Sequence, residues 1–167
     1  MEYGLENFGS SLVGMLITLL IGFSFDFLLG SLLLWMLIFP LRKNAGGFHA
    51  ETRSSCLLFS TVTLLVSIVC FTQIKWSTTE YLLIALCLFV FIFFMAPIEN
   101  NNKHLDQIEY KIYQKRTRGI LLAEATLLAM ALIFNWKIVV IAITTNFFIV
   151  SISLFAGKLK LRIYSEQ

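Results

Sequence analysis

The chain has 167 residues, of which 58% are hydrophobic and only 14% charged, with a formal net charge of +3 and a mean hydropathy of +0.82. A soluble domain carries about a quarter charged residues, and this chain has too little polar side chain to coat a water-facing globule. The composition excludes an ordinary soluble domain and makes a bilayer the solvent.

The charges are gathered between uncharged runs at 7–25, 27–41, 54–74, 81–98 and 138–157, with a sixth run at 119–136 interrupted only by Glu124. A helix crosses the hydrocarbon core with about 20 apolar residues, or as few as about 17, so most runs are near the right length and 27–41 is short. The runs are continuously apolar, whereas strands of a membrane barrel alternate apolar and polar residues. The pattern predicts an all-α, polytopic membrane bundle in a single domain, 1–167, with helices at about 5–25, 26–43, 50–74, 79–98, 104–135 and 137–158. Met1–Ser10 holds two glutamates and no basic residue, so no signal-peptide layout opens the chain.

Lysine and arginine set the expected orientation. Arg42, Lys43 and Arg53 flank the connection 42–53; Lys103, Lys111, Lys115, Arg116 and Arg118 fill the connection 99–118; Lys158, Lys160 and Arg162 follow the last run. With six crossings, all three groups fall on the side of both termini, and the positive-inside rule makes that side the cytoplasm. The positive charge therefore belongs to a membrane face. It suits lipid headgroups and an acidic peptide, and nucleic acid is not an expected partner.

Most of the chain's reactive side chains lie between Pro40 and Cys56, in the run Pro40-Leu41-Arg42-Lys43-Asn44-Ala45-Gly46-Gly47-Phe48-His49-Ala50-Glu51-Thr52-Arg53-Ser54-Ser55-Cys56. A thiol becomes a nucleophile when an imidazole, an arginine or a helix N-terminus favours its ionised form, and this stretch offers all three beside Cys56. Seven residues separate His49 from Cys56, which on a straight helix is about 10.5 Å along the axis and too far for proton transfer at about 3 Å. A His49–Cys56 pair thus requires His49 to sit on the Gly46-Gly47 turn and fold back, or a distorted helix. Arg53 lies within a turn of both and is a supporting candidate for holding a thiolate or a substrate carboxylate, as are Gly46 and Gly47 for the turn.

Cys70 and Cys87 lie inside apolar runs, where cysteine is usually a small packing residue. His49, Glu51, Cys56 and His104 show no metal-ligand spacing, and no cofactor is expected. Glu51 is two residues from His49, shares no helix face with it, and is not taken as a third catalytic member. Glu124 is expected to pair with a base at the cytoplasmic end, toward Arg118. On the residues alone, two other readings stay open: a small transporter using Asp26, Gln73, Glu124 or Asn146, and a non-catalytic scaffold acting through its basic loop.

The run Arg42…Gly46-Gly47-Phe48-His49-Ala50…Cys56 resembles the signature of the accessory gene regulator B (AgrB) family, membrane endopeptidases that process quorum-sensing propeptides in Gram-positive bacteria. Ala96-Pro97-Ile98-Glu99-Asn100, with Lys103 after it, is similar to the family's exit from its fourth segment. The resemblance implies that His49 is the catalytic histidine and Cys56 the nucleophile, and that Arg42 and Gly47 are motif residues tied to activity. It also implies an AgrD-like propeptide substrate with an acidic tail facing Lys103, Lys111, Lys115, Arg116 and Arg118, a thioester acyl-enzyme that closes to a cyclic autoinducing peptide, and a homodimer. The family places an amphipathic segment ahead of a stretch similar to Tyr3-Gly4-Leu5-Glu6, and this sequence starts almost at that stretch.

Overall fold

The computed structural model describes residues 2–48, 52–99 and 106–165, with side chains from Leu12 to Ile163 except that of Arg53. Six helices follow one another: α1 (Glu2–Ser24), α2 (Leu28–Ala45), α3 (Arg53–Gln73), α4 (Thr78–Met95), α5 (Gln107–Ile133) and α6 (Lys137–Ser165). The expected all-α class is the observed one. By length and composition α2, α3, α4 and α6 can each cross a membrane; the apolar part of α1, Leu12–Ser24, is shorter. α5 opens with a basic stretch before its apolar half.

That basic stretch is helical. Asp106 caps α5, its carboxylate accepting the Gln107 N–H at 2.7 Å, and no Pro or Gly interrupts the chain until Gly119. Lys111, Lys115, Arg116 and Arg118 are therefore carried on a regular helix, with Lys111 and Lys115 one turn apart on the same side.

α6 occupies the centre and packs against α2, α3, α4 and α5. It is the most apolar of the four candidate spans and also the most enclosed, 67% of it buried against 17–28% for the others. Around Thr144, Thr145, Asn146, Ser151, Ser153 and Gly157 its residues are small or short and polar, and all six are buried. Such residues let helix backbones approach closely in a membrane. Their hydroxyls can be satisfied locally, as when Thr144 Oγ1 donates to the Val140 carbonyl at 2.9 Å.

The turns at one end are tightly built. Trp76 Nε1 donates to the Cys70 carbonyl at 2.9 Å and the Tyr81 hydroxyl to the Phe71 carbonyl at 2.7 Å. Ser77 and Glu80 form a capping box on α4. With Phe134 and Trp136 in the α5–α6 turn, this end carries the aromatic residues that favour a membrane–water interface.

Glu124 departs from its expected pairing. It is 4% exposed, and its Oε2 accepts from Asn146 Nδ2 at 2.8 Å, whereas the Arg118 guanidinium lies 4.4 Å from the centre of the Phe93 ring. The reason is helical phase. Thr117, Leu121, Glu124, Leu128 and Ala131 form the buried stripe of α5, and a residue six positions before Glu124 points well away from that stripe at 3.6 residues per turn.

Between α1 and α2 the chain reverses with the Phe27 N–H bonded to the Gly22 carbonyl at 2.7 Å. A Cβ at Gly22 would overlap the Ser31 side chain. Gly22→Ala is expected to destabilise the bundle by about 1–3 kcal/mol, the range for overpacking a close contact. Ser31→Gly should restore part of the loss; thermal unfolding in detergent measures both.

Candidate active site

Three chain segments meet at the end that carries the basic residues. α2 contains Pro40, which has no N–H to contribute to the helix, and Asn44 Nδ2 donates to the Pro40 carbonyl at 2.8 Å. The helix stops at Ala45. The Gly46 N–H closes the last turn on the Arg42 carbonyl at 3.1 Å.

Gly46 and Gly47 then take φ values of +72° and +118°, a region in which an L side chain is strained. Space forbids a side chain there as well. A Cβ on Gly46 would overlap the Ile98 carbonyl, and one on Gly47 would lie 2.6 Å from Ser153 Oγ. Gly46 forms an isolated parallel bridge with Ile98, whose N–H donates to the Ala45 carbonyl at 3.0 Å. The exits of α2 and α4 are thus tied backbone to backbone.

Phe48 is bound from the other side. Its N–H reaches the Ser153 carbonyl at 2.8 Å and Ser153 Oγ at 3.2 Å. Its ring lies 4.6 Å from that of Phe59 on α3, with Lys160 Nζ 5.8 Å from its centre. Phe48 therefore bridges the turn, α3 and α6.

α3 begins at Arg53 with Thr52 as its cap, Thr52 Oγ1 accepting the Ser55 N–H at 3.3 Å. Cys56 lies in the first turn, its N–H on the Thr52 carbonyl at 3.1 Å, and is a half-buried free thiol. Arg42, half-buried on α2, interacts electrostatically with Cys56. A continuous helix through positions 49 and 56, the arrangement that would hold them apart, does not form, because α3 starts four residues after His49.

The structure thus brings together Arg42, Gly46, Gly47 and Cys56. His49, Glu51, Lys103 and His104 lie outside the described residues; Arg53 is placed as the first residue of α3. Lys111, Lys115 and Arg116 are exposed on α5, and Arg118 is half-buried on Phe93. Cys70 lies about 21 Å further along α3 at 1.5 Å per residue, and Cys87 is exposed on α4.

The contribution of α6 was missed from sequence. Ser153, Gly157 and Lys160 all touch the glycine turn or Phe48. A signal existed: Ser153 and Gly157 are four apart, the small-xxx-small spacing of close membrane contacts.

Fold and site define a class: a helical bundle able to span a membrane, with a free thiol, a guanidinium and a glycine turn at the basic end. The chain matches the family model described as Accessory gene regulator B over residues 1–155 and belongs to that family. Membership gives it a role in quorum-sensing peptide processing, in association with an AgrD-like propeptide. No curated protein and no solved structure matches it.

Gly46→Ala should be among the most disruptive single-atom-scale changes at this end, since it meets both a positive φ and the Ile98 carbonyl. A loss of about 1–3 kcal/mol is expected from the backbone strain alone, read as a lowered unfolding midpoint in detergent.

Proposed function

We propose that the chain is a membrane cysteine endopeptidase that cleaves an AgrD-like propeptide near its C-terminus and promotes its cyclisation. The observation that carries this reading is the placement of Cys56. It is a half-buried thiol in the first turn of α3, the helix that follows the glycine turn in sequence, and it interacts electrostatically with Arg42.

In this mechanism an imidazole nitrogen of His49 takes the Cys56 proton, and the thiolate attacks a backbone carbonyl of the propeptide. The C–N bond breaks, the leaving amine takes the proton from the imidazolium, and the acyl group remains on Cys56 as a thioester. A thiol or hydroxyl of the same acyl chain then attacks the thioester carbonyl, closes the ring and returns the proton and the free thiol to Cys56. Limited water access at a membrane interface favours ring closure over hydrolysis. Arg42 supports the negative charge on sulfur. Gly46 and Gly47 set the path to His49, and Arg53 is the candidate for holding a substrate carboxylate.

The acidic propeptide tail lies along Lys103, Lys111, Lys115, Arg116 and Arg118, where opposite charge raises the rate of encounter. In this reading both termini and the site face the cytoplasm of a Gram-positive cell, as the distribution of Lys and Arg implies, and the enzyme works as a homodimer in the bilayer.

Cys56→Ala and His49→Ala should each abolish cleavage of a propeptide by the protein in lipid vesicles, while Cys70→Ala and Cys87→Ala retain it. Wild type should also form a hydroxylamine-sensitive adduct with propeptide that Cys56→Ala lacks. Cleavage that survives Cys56→Ala overturns the assignment.

A further inference from the structure

We infer that α6 belongs to the catalytic centre: Ser153 and Gly157 are positioning residues that clamp the backbone turn leading to His49. This rests on the reading of Cys56 and His49 as nucleophile and base. The turn Gly46-Gly47-Phe48 is irregular backbone at the end of a membrane bundle, and its polar groups need partners from protein where water is scarce. α6 provides them, the Phe48 N–H bonding to the Ser153 carbonyl at 2.8 Å and to its hydroxyl at 3.2 Å.

The contact is close because both sides are glycine. A Cβ on Gly157 would lie 2.8 Å from the Gly47 carbonyl carbon and 3.0 Å from the Phe48 nitrogen. Small-xxx-small spacing ordinarily brings two helices together; here the same device holds a loop against a helix. His49 is the next residue after Phe48, so a shift of the Phe48 backbone moves the point from which the imidazole is built. Phe48 also packs on Phe59, three residues beyond Cys56 on α3, so the clamp refers the turn to the helix that carries the nucleophile.

The test uses the full chain in lipid vesicles with propeptide. Gly157→Ala should lower kcat about 10- to 100-fold, the cost of misplacing a reacting group by roughly 1 Å, with KM changed less than about 2-fold. In the same variant the excess of Cys56 alkylation over Cys70 and Cys87 should fall. Ser153→Ala keeps the carbonyl acceptor and should lose about 5-fold, the typical worth of one neutral hydrogen bond. Gly14→Ala and Gly119→Ala, where an added Cβ meets nothing within 4 Å, should match wild type. Unchanged kcat in folded Gly157→Ala overturns the clamp. Should that variant fail to fold, hydrogen exchange on wild type decides: a protected Phe48 amide supports the clamp and a freely exchanging one overturns it. Cleavage surviving Cys56→Ala, with the Phe48 amide protected, would sink the enzymatic reading while leaving the contact in place.

A separate observation carries a second inference. Asn146 Nδ2 donates to Glu124 Oε2, and the two remaining oxygens of the pair, Glu124 Oε1 and Asn146 Oδ1, are buried without a partner. Charged groups on the elements packed against α5 lie toward helix ends: Arg42 and Lys43 on α2, Glu80 on α4, Lys137, Lys158, Lys160 and Arg162 on α6. Arg118, on α5 itself, stacks on Phe93. A bare carboxylate without a cation is costly in such a place. The geometry points to a proton on Glu124 Oε1, donated to Asn146 Oδ1, which closes an acid–amide ring and satisfies both orphan atoms as a neutral lock between α5 and α6.

Infrared spectra at neutral pH should show a protonated-carboxyl stretch that Glu124→Gln removes. Glu124→Gln, which can form the same ring, should keep the unfolding midpoint, while Glu124→Ala and Asn146→Ala should lower it by at least about 2–4 °C. Absence of the band in wild type, or a Glu124→Gln as unstable as Glu124→Ala, overturns the lock.

Discussion

The structure depends on the burial of α6. In a bilayer the exclusion of water does not drive one apolar helix onto another, because lipid is as apolar as leucine. What singles out a central helix is close backbone approach and polar groups that find partners inside the protein. α6 has both, in the buried run Thr144-Thr145-Asn146 and in Ser151, Ser153 and Gly157. It is the helix on which α2, α3, α4 and α5 all pack, and two of its polar contacts differ in kind. Asn146 ties it to a side chain of α5, and Ser153 ties it to the backbone that follows α2.

From that anchor the basic end assembles. The α2 exit is held by Ile98 on one side and by Ser153 on the other, so the glycine turn has little freedom to wander. α3 starts independently on its Thr52 cap, which places Cys56 in a first helical turn, where backbone N–H groups favour negative charge. Arg42 on α2 interacts electrostatically with the same residue. The candidate nucleophile therefore draws on two helices and a turn. The opposite end is built by ordinary caps and aromatic anchors and carries no comparable chemistry among the described residues.

Much of this was legible from particular residues. A His49–Cys56 pair, too widely spaced for one helix, called for a start of α3 after His49, and the extended Thr52 cap starts it there. Glu124 was misread because its neighbours in sequence suggested Arg118, whereas helical phase turns Arg118 toward Phe93 and Glu124 toward Asn146. The basic stretch after Asp106 was open to either description, and a single cap decides it as helix. Ser153 and Gly157 were readable as a small-residue pair, but nothing local says that the object they receive is a turn more than a hundred residues earlier.

By itself, the sequence determined that the chain has apolar runs long enough to cross a bilayer, that its elements are helices, and that reactive side chains concentrate between Arg42 and Cys56. These properties follow from hydropathy, charge placement and short-range backbone preference, which are local quantities. Only the tertiary structure decided which helix is central, which carboxylate meets which amide, and that α6 packs against Gly47 and Phe48. Hydropathy cannot make those choices, because a helix facing lipid and a helix facing protein are both apolar enough to span, and only contact distinguishes them.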